Sequence, residues 1–360
     1  MSYTNGLDKP SNYFLTKLYT GNGGTLVNTG VNFRPDLVWI KSRTQANSHV
    51  WFDAIRTFAG GKEIQSNNTG SEGASDSAGY GYISAVSSDG FTAQAGTTAG
   101  DYTNVSSQNY VAWNWLASNT TASNSNGSIT STVSANTTSG FSIVSYTGNV
   151  TSGATVGHGL GTTPAVIIVK KRSGSDGWVV YHHRNTSAPE TEYLRLDTTT
   201  ATADNLGEWN DTAPSPTVFT IGNSGRTNDN GATYIAYCFA EKKGFSKFGS
   251  YTGNGNADGT FVYTGFKPAW VMVKRYDGTG QGWNIWDNKR DTFNLVDEFL
   301  IANSSNAEAT GSALNLDFLS NGFKFRGTDG GSNTSGSEYV YMAFAESPFV
   351  TSSGVPATAR

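Results

Sequence analysis

Cysteine is almost missing. Cys238 is the only one, so no internal disulfide can form. Its place inside the apolar run Tyr234-Ile-Ala-Tyr-Cys-Phe239 reads as a small core residue rather than a nucleophile. Charge is scarce too: 14% of residues are charged, against about 25% in an average soluble protein. The net charge of −4 argues against nucleic acid as a partner, because phosphate binding needs a basic surface. No apolar stretch approaches the roughly 20 residues that a membrane helix requires, so membrane insertion is not expected. The opening Met1-Ser-Tyr-Thr-Asn-Gly-Leu-Asp-Lys-Pro10 has no apolar segment of the secretory type, so no signal peptide is expected. Without one, the Asn-x-Ser/Thr triplets at Asn119, Asn149 and Asn185 read as chance in a chain rich in those residues. Helical patterning is also lacking. The nearest case, Leu295 to Ile301, is either one short turn or a strand.

What is present is β-forming. Aromatics make up 12%, glycines number 43, and Ser, Thr and Asn fill most polar positions, a composition that implies an all-β chain. One stretch recurs three times: Pro35-Asp-Leu-Val-Trp-Ile-Lys41, Pro164-Ala-Val-Ile-Ile-Val-Lys170 and Pro268-Ala-Trp-Val-Met-Val-Lys274. A breaker followed by a continuous apolar run fits a strand buried on both faces. Other motifs recur in the same order. A turn opens each unit at Tyr19-Thr-Gly-Asn-Gly23, Tyr146-Thr-Gly-Asn149 and Tyr251-Thr-Gly-Asn-Gly255. An aromatic strand follows at Val50–Asp53, Trp178–His182 and Trp283–Asp287, and each unit closes on Tyr110–Trp115, Tyr234–Phe239 or Tyr339–Phe344.

The spacing makes these motifs one repeat. Opening to closing tyrosine is 91, 88 and 88 residues, whereas successive opening tyrosines lie 127 and 105 apart. The surplus falls in residues 118–139, which are small and polar and read as a flexible linker, or alternatively as a polar hairpin with Ile129 and Val133 in a weak edge strand. The second junction is only Glu241-Lys-Lys-Gly244, so units two and three should be coupled and unit one freer. A period near 105 is too long for a solenoid. It suits three tandem β-sandwiches, jelly-roll or immunoglobulin-like, of seven or eight strands each. The expected organisation is an N-terminal attachment arm (1–12), sandwiches at 13–117, 140–243 and 244–350, and a C-terminal tail (351–360). Closing strands with apolar groups on both faces, such as Tyr234–Glu241, should sit centrally in their sheets.

Candidate chemistry is sparse. His182 and His183 are adjacent on a strand, point to opposite faces and cannot chelate one metal together. His49 and His158 have no partner pattern. His158-Gly-Leu-Gly161 resembles a glycine loop, but no helix follows, so tight turns are the better reading. The oxygen-rich loops Arg226–Gly231 and Asp204–Asp211 lack the alternating ligands and terminal Glu of a calcium loop. No catalytic residue, cofactor or metal is therefore expected. Asp53 to Arg56 and Asp287 to Arg290 share an Asp-x-x-Arg pattern, with His182 and Arg184 at that point in unit two. This reads as a structural salt bridge or loop clamp, with Asp287 and Arg290 as candidate ligand or interface contacts. Most of the nine tryptophans lie on strands and read as core. Trp209, in Gly207-Glu-Trp-Asn-Asp211, lies in a loop, where an exposed ring could stack on a sugar or anchor a neighbour.

Taken in order, Leu7-Asp-Lys-Pro-Ser-Asn-Tyr-Phe14, Leu18–Gly23, Pro35–Lys41, Phe52-Asp-Ala-Ile-Arg56, Asp89-Gly-Phe91 and Tyr110-Val-Ala-Trp-Asn-Trp115 resemble a repeated domain of marine bacteriophage virion proteins. His158-Gly-Leu-Gly161 with Pro164 is similar to a segment of phage tail-associated β-domains. The resemblance covers about 13–350 and implies no catalytic residues. Units two and three depart from it at the Asp-Gly-Phe and Trp-Asn-Trp motifs. The implied protein is a non-enzymatic virion component on the particle surface, in a capsid decoration or a tail fibre. It would contact other virion proteins, as a homo-oligomer such as a trimer. The alternative is a module that binds a host-surface glycan for attachment. A glycan-degrading enzyme would need paired carboxylates across a cleft, and no acidic position recurs at a strand end in all three units.

Overall fold

In each repeat, four strands hydrogen-bond in the same order. The opening strand (Phe14–Thr20, Phe141–Thr147 or Ser246–Thr252) pairs with the closing strand (Asn109–Trp115, Thr233–Phe239 or Glu338–Pro348). The closing strand pairs in turn with the Pro-to-Lys strand (Leu37–Ser42, Val166–Lys171 or Phe266–Arg275), and that with the aromatic strand (Val50–Asp53, Val179–His182 or Trp283–Asp287). These pairs are antiparallel, and closing strands sit between two neighbours, as their two apolar faces require. A computed structural model gives this architecture and describes residues 7–98, 101–311 and 313–358. The protein is all-β apart from short helical turns.

The period-2 alternation decides how the sheets pack. On the closing strands one set of side chains, Tyr110 and Ala112, Tyr234, Ala236 and Cys238, or Tyr339, Tyr341 and Ala343, faces a smaller sheet of the same repeat. That layer encloses one apolar cluster per repeat. The other set, Trp113 and Trp115, Tyr237 and Phe239, or Met342 and Phe344, turns to a fourth cluster shared by all three repeats. There Trp51 lies 5.1 Å from Trp178, Trp115 lies 5.9 Å from Trp270, and Phe239 lies 5.9 Å from Phe344. Full burial of rings of this size contributes on the order of 2–3 kcal/mol each, so the shared cluster binds the repeats strongly.

Three boundaries differ from expectation. Residues 118–139 take the polar-hairpin alternative rather than the flexible linker: Ala122–Asn124 and Ser131–Asn136 pair antiparallel and extend the second large sheet to eight strands. Ile129 and Val133 supply the burial, and small hydroxyl residues permit a close fit, with Ser131 Oγ donating to the Gly157 carbonyl at 2.7 Å. Unit one is not freer, since it shares the central cluster with both other units. The arm of residues 1–12 is docked over its described part. Leu7 and Pro10 are buried, Asp8 accepts from the Ser352 backbone N–H at 2.8 Å, and residues 1–6 lie outside the described residues. Residues 295–301 give a strand, Glu298–Ile301.

Candidate functional site

The polar side chains buried between repeats fall at equivalent positions, because the strand registers are equivalent. Asp53 lies opposite Leu37, His182 opposite Val166 and Asp287 opposite Trp270. At the seam between repeats one and two, Asp53 Oδ2 accepts from Arg56 Nε at 2.5 Å and from Tyr237 Oη at 2.6 Å. Arg56 also donates to the carbonyls of Lys62 and Trp51 and lies 3.8 Å from Glu72, which accepts from Arg172 Nε at 2.6 Å. At the seam between repeats three and one the same set of four residues, an Asp, a Glu and two Arg, recurs. Asp287 Oδ2 accepts from Arg290 Nε at 2.6 Å and from Trp113 Nε1 at 3.1 Å. Arg290 reaches Glu308 at 3.1 Å and the Ile285 carbonyl at 2.9 Å, and Arg43 pairs with Glu308 at 2.7 Å. In both seams the backbone N–H of the glutamate donates to the carbonyl of the arginine across from it (Glu72 to Arg172, Glu308 to Arg43).

The third seam, between repeats two and three, has the same backbone bond, from Thr202 N–H to the Tyr276 carbonyl at 2.9 Å. None of its four equivalent positions carries a charge at pH 7. His182, Asn185, Thr202 and Tyr276 stand where the other seams carry Asp, Arg, Glu and Arg. Asn185 donates to Thr202 Oγ1 at 2.6 Å, and His182 Nε2 donates to the Tyr341 carbonyl at 3.1 Å. The partner explains the exchange. The residue facing Asp53 is Tyr237 and that facing Asp287 is Trp113, both N–H or O–H donors. The corresponding residue in repeat three is Met342, which offers none. An aspartate there would lack its donor from across the seam, and a neutral imidazole finds a backbone acceptor instead. A buried charge set of this kind persists only when every member is paired, so it is kept or lost as a group.

The electrostatics agree. Burial opposes the charge on Arg56, yet Asp53, Tyr237 and Glu72 together hold its pKa above the ordinary guanidinium range. Burial would raise Glu72, but Arg172 and Arg56 hold its carboxyl below the usual range. Burial, aided by His183, pushes His182 down to about 3, so it is neutral at pH 7. A second ring of contacts runs around the same seams. Trp178 Nε1 donates to the Gln65 carbonyl and Trp283 Nε1 to the Arg195 carbonyl, each at 2.8 Å. The equivalent His49 is shorter, and its Nε2 faces the Ile301 backbone too loosely for a hydrogen bond.

The lysines that end the Pro-to-Lys strands are buried as well. Lys41 Nζ donates to the Ser42 and Gln45 carbonyls, and Lys274 Nζ to Gln281. Lys170 Nζ reaches Lys171, Asp176 and, across the seam, Thr69. Burial pushes Lys41 down to about 7 and the other two to about 8. The two tyrosines that mark each repeat stack on one another, at 5.1, 5.1 and 5.0 Å. Their hydroxyls bond the same loop, with Tyr19, Tyr146 and Tyr251 donating to the carbonyls of Thr103, Thr227 and Ser332. A buried Asn in that loop, Asn104, Asn228 or Asn333, accepts from the backbone N–H of the opening turn. This clamp fixes the separation of the two tyrosines in space.

The residues singled out from the sequence fall unevenly. Asp287 and Arg290 lie buried at the seam between repeats three and one, where solvent does not reach them. Trp209 is not an exposed loop ring. It ends the short helix Leu206–Trp209, is 2% exposed, and packs edge-on against Tyr181 at 5.9 Å, so it offers no face to a sugar. In repeat two Asn185, not Arg184, stands where Arg56 and Arg290 stand; Arg184 donates its backbone N–H to His182 Nδ1 at 3.2 Å. The loops at 204–211 and 226–231 hold short helical turns joined by an Arg226–Glu208 pair at 2.5 Å. Among the described residues no group of His, Cys, Asp and Glu is placed to hold a metal ion, and no helix is long and apolar enough to cross a membrane. Sequence reasoning missed Glu72, Arg172, Arg43 and Glu308. A signal was available: Arg43 and Arg172 each stand two residues past the strand-ending lysine, where repeat three has Tyr276.

Residues 9–348 match the family described as Domain of unknown function (DUF7483), and the chain belongs to that family. The match runs through all three repeats. No curated protein and no solved structure matches the chain.

Proposed function

We propose that this chain is a non-enzymatic structural component of a bacteriophage virion. It would sit on the outside of the particle, in a capsid decoration or a tail fibre, as one rigid body built of three β-sandwich repeats. The observation that supports this most is where the reactive residue types go. At the seams, carboxylates, guanidinium groups, an imidazole and indole N–H groups are committed to holding one repeat against the next. Catalysis needs such groups at a reachable cleft with a pKa poised for the reaction, and the seams provide neither. The marine-phage resemblance supplies the setting, and the disulfide-free β architecture suits assembly work. A single chain already closes a ring of three repeats, so threefold order does not require three copies. Attachment through the N-terminus would fall to residues 1–6, since Leu7 belongs to the core.

Electron microscopy of purified particles carrying the chain tests this reading. Hundreds of copies at regular surface positions would assign a decoration protein, and tens or fewer at the tail an appendage. A chain absent from washed particles would contradict both. Deleting residues 1–6 should lower occupancy without lowering the melting temperature.

A further inference from the structure

The three repeats treat one sheet edge differently. In repeat two the outer edge of the opening strand Phe141–Thr147 is covered by Ser131–Asn136, whose Ser134 lies opposite Ile143. That strand also packs on the turn after Val156. A Cβ placed on Gly159, at φ +75°, would meet Ala135 Cβ at 3.1 Å and Val133 Cγ2 at 3.3 Å. In repeat one Lys17 reaches over the edge, its Nζ 3.8 Å from a Cβ placed on Gly30. In repeat three the corresponding turn is Tyr263-Thr-Gly265, with Gly265 at φ +80°, and the atoms nearest a Cβ there belong to the Tyr263 ring. Where repeat two has its extra strand, repeat three has an open cavity of about 810 Å³, lined by Ser246, Lys247, Tyr263, Gly265, Phe349 and Glu241 among others. Tyr263 is 60% exposed.

We infer that this edge is a strand-addition site for an extended segment of another protein. The segment would lie antiparallel to Lys247–Ser250, as Thr132–Ala135 lies on Ser142–Ser145; Ser246 already bridges Lys242. The backbone already shows the demand. Phe248 occupies the position of Ile143; its N–H donates to Glu241 Oε1 at 2.9 Å, and its carbonyl accepts from His183 Nε2 at 2.7 Å. Side chains thus take the hydrogen bonds that a strand takes in repeat two. A carboxylate on an edge N–H keeps the edge from pairing at random and can be displaced by a complementary strand. The occupant's chemistry follows from its counterpart: small and β-branched residues facing the Gly265 turn, and hydroxyls elsewhere. Its C-terminal end would stop at Lys247, because the Ser246 N–H already donates to the Lys242 carbonyl at 2.9 Å. This inference needs only the fold and is independent of the virion reading.

The test uses the full chain and a fluorescent peptide of the sequence Gly127–Ala135, read by anisotropy. Saturable binding is expected. N-methylation at Ser134 should weaken it at least about fivefold, the worth of one backbone hydrogen bond, and Glu241→Ala should tighten it by a similar factor. Absence of saturation at millimolar peptide, or equal binding of the N-methylated peptide, would overturn the site. Self-association of the chain that the peptide displaces would overturn the assignment of the occupant to another protein, because the edge would then belong to a second copy.

Discussion

Replacing Arg56 with leucine probes the charged seams most sharply. The guanidinium is fully buried and bonds Asp53 Oδ2, the carbonyls of Lys62 and Trp51, and the hydroxyl of Tyr237. Leucine keeps much of the packing volume and none of the donors. Asp53 then retains the backbone N–H groups of Ile55 and Arg56 and the Tyr237 hydroxyl, but its countercharge is lost in a site closed to water. Breaking a buried pair in this way costs about 3–5 kcal/mol. The double replacement Asp53→Leu with Arg56→Leu removes both charges, and Glu72 stays paired with Arg172 and Lys62 at the seam's edge. It should cost about 1–3 kcal/mol, less than the single change, because the remaining loss is the Tyr237 acceptor and the bonds to two carbonyls. Urea denaturation of the wild type, both single variants and the double variant completes the cycle. A double variant destabilised by the sum of the singles would refute coupling within the seam.

Other predictions follow from the same geometry. Phe239→Ala and Phe344→Ala each open a cavity in the shared cluster and should cost about 3–5 kcal/mol by denaturant titration; retention of the wild-type melting temperature would contradict the central core. Trp209→Ala should lower stability by a similar amount and leave any glycan binding unchanged, since the ring is buried. His182 is held neutral down to about pH 3, with His183 and Arg184 adding to the burial that keeps it so, whereas the unfolded chain protonates it near 6.5. Its folded pKa is depressed, so the unfolded state binds the extra proton between those values and stability falls as pH drops through that window. By pH 4.5 the loss from this site is on the order of 2–3 kcal/mol. His182→Asn should flatten that part of the pH–stability curve, and an unchanged slope would show that the ring is protonated in the fold.

The motifs that follow from local rules were legible in the sequence. A proline followed closely by a continuous apolar run fitted a doubly buried strand, and the alternation on Tyr234–Glu241 placed two faces correctly. The Asp-x-x-Arg pattern pointed to a clamp, although not to the four-residue set across the seam, because Glu72 and Arg172 are 100 residues apart. Tertiary packing hid the rest. Residues 118–139 look like a linker because serine and threonine have no apolar signature, yet those small side chains are what a strand needs to approach Gly159. Trp209 looked exposed because its neighbours are Gly, Glu, Asn and Asp, but a one-turn helix capped by Asn205 turns the ring inward. Nothing in the sequence marked Lys41, Lys170 and Lys274 as buried; loop carbonyls, which carry no sequence signature, draw them into the interior.

Differential scanning calorimetry of the intact chain tests most directly whether three repeats form one body. A shared aromatic cluster and three continuous seams predict one transition, with the calorimetric and van't Hoff enthalpies equal. Two or three resolved transitions, with the first repeat melting alone, would contradict it.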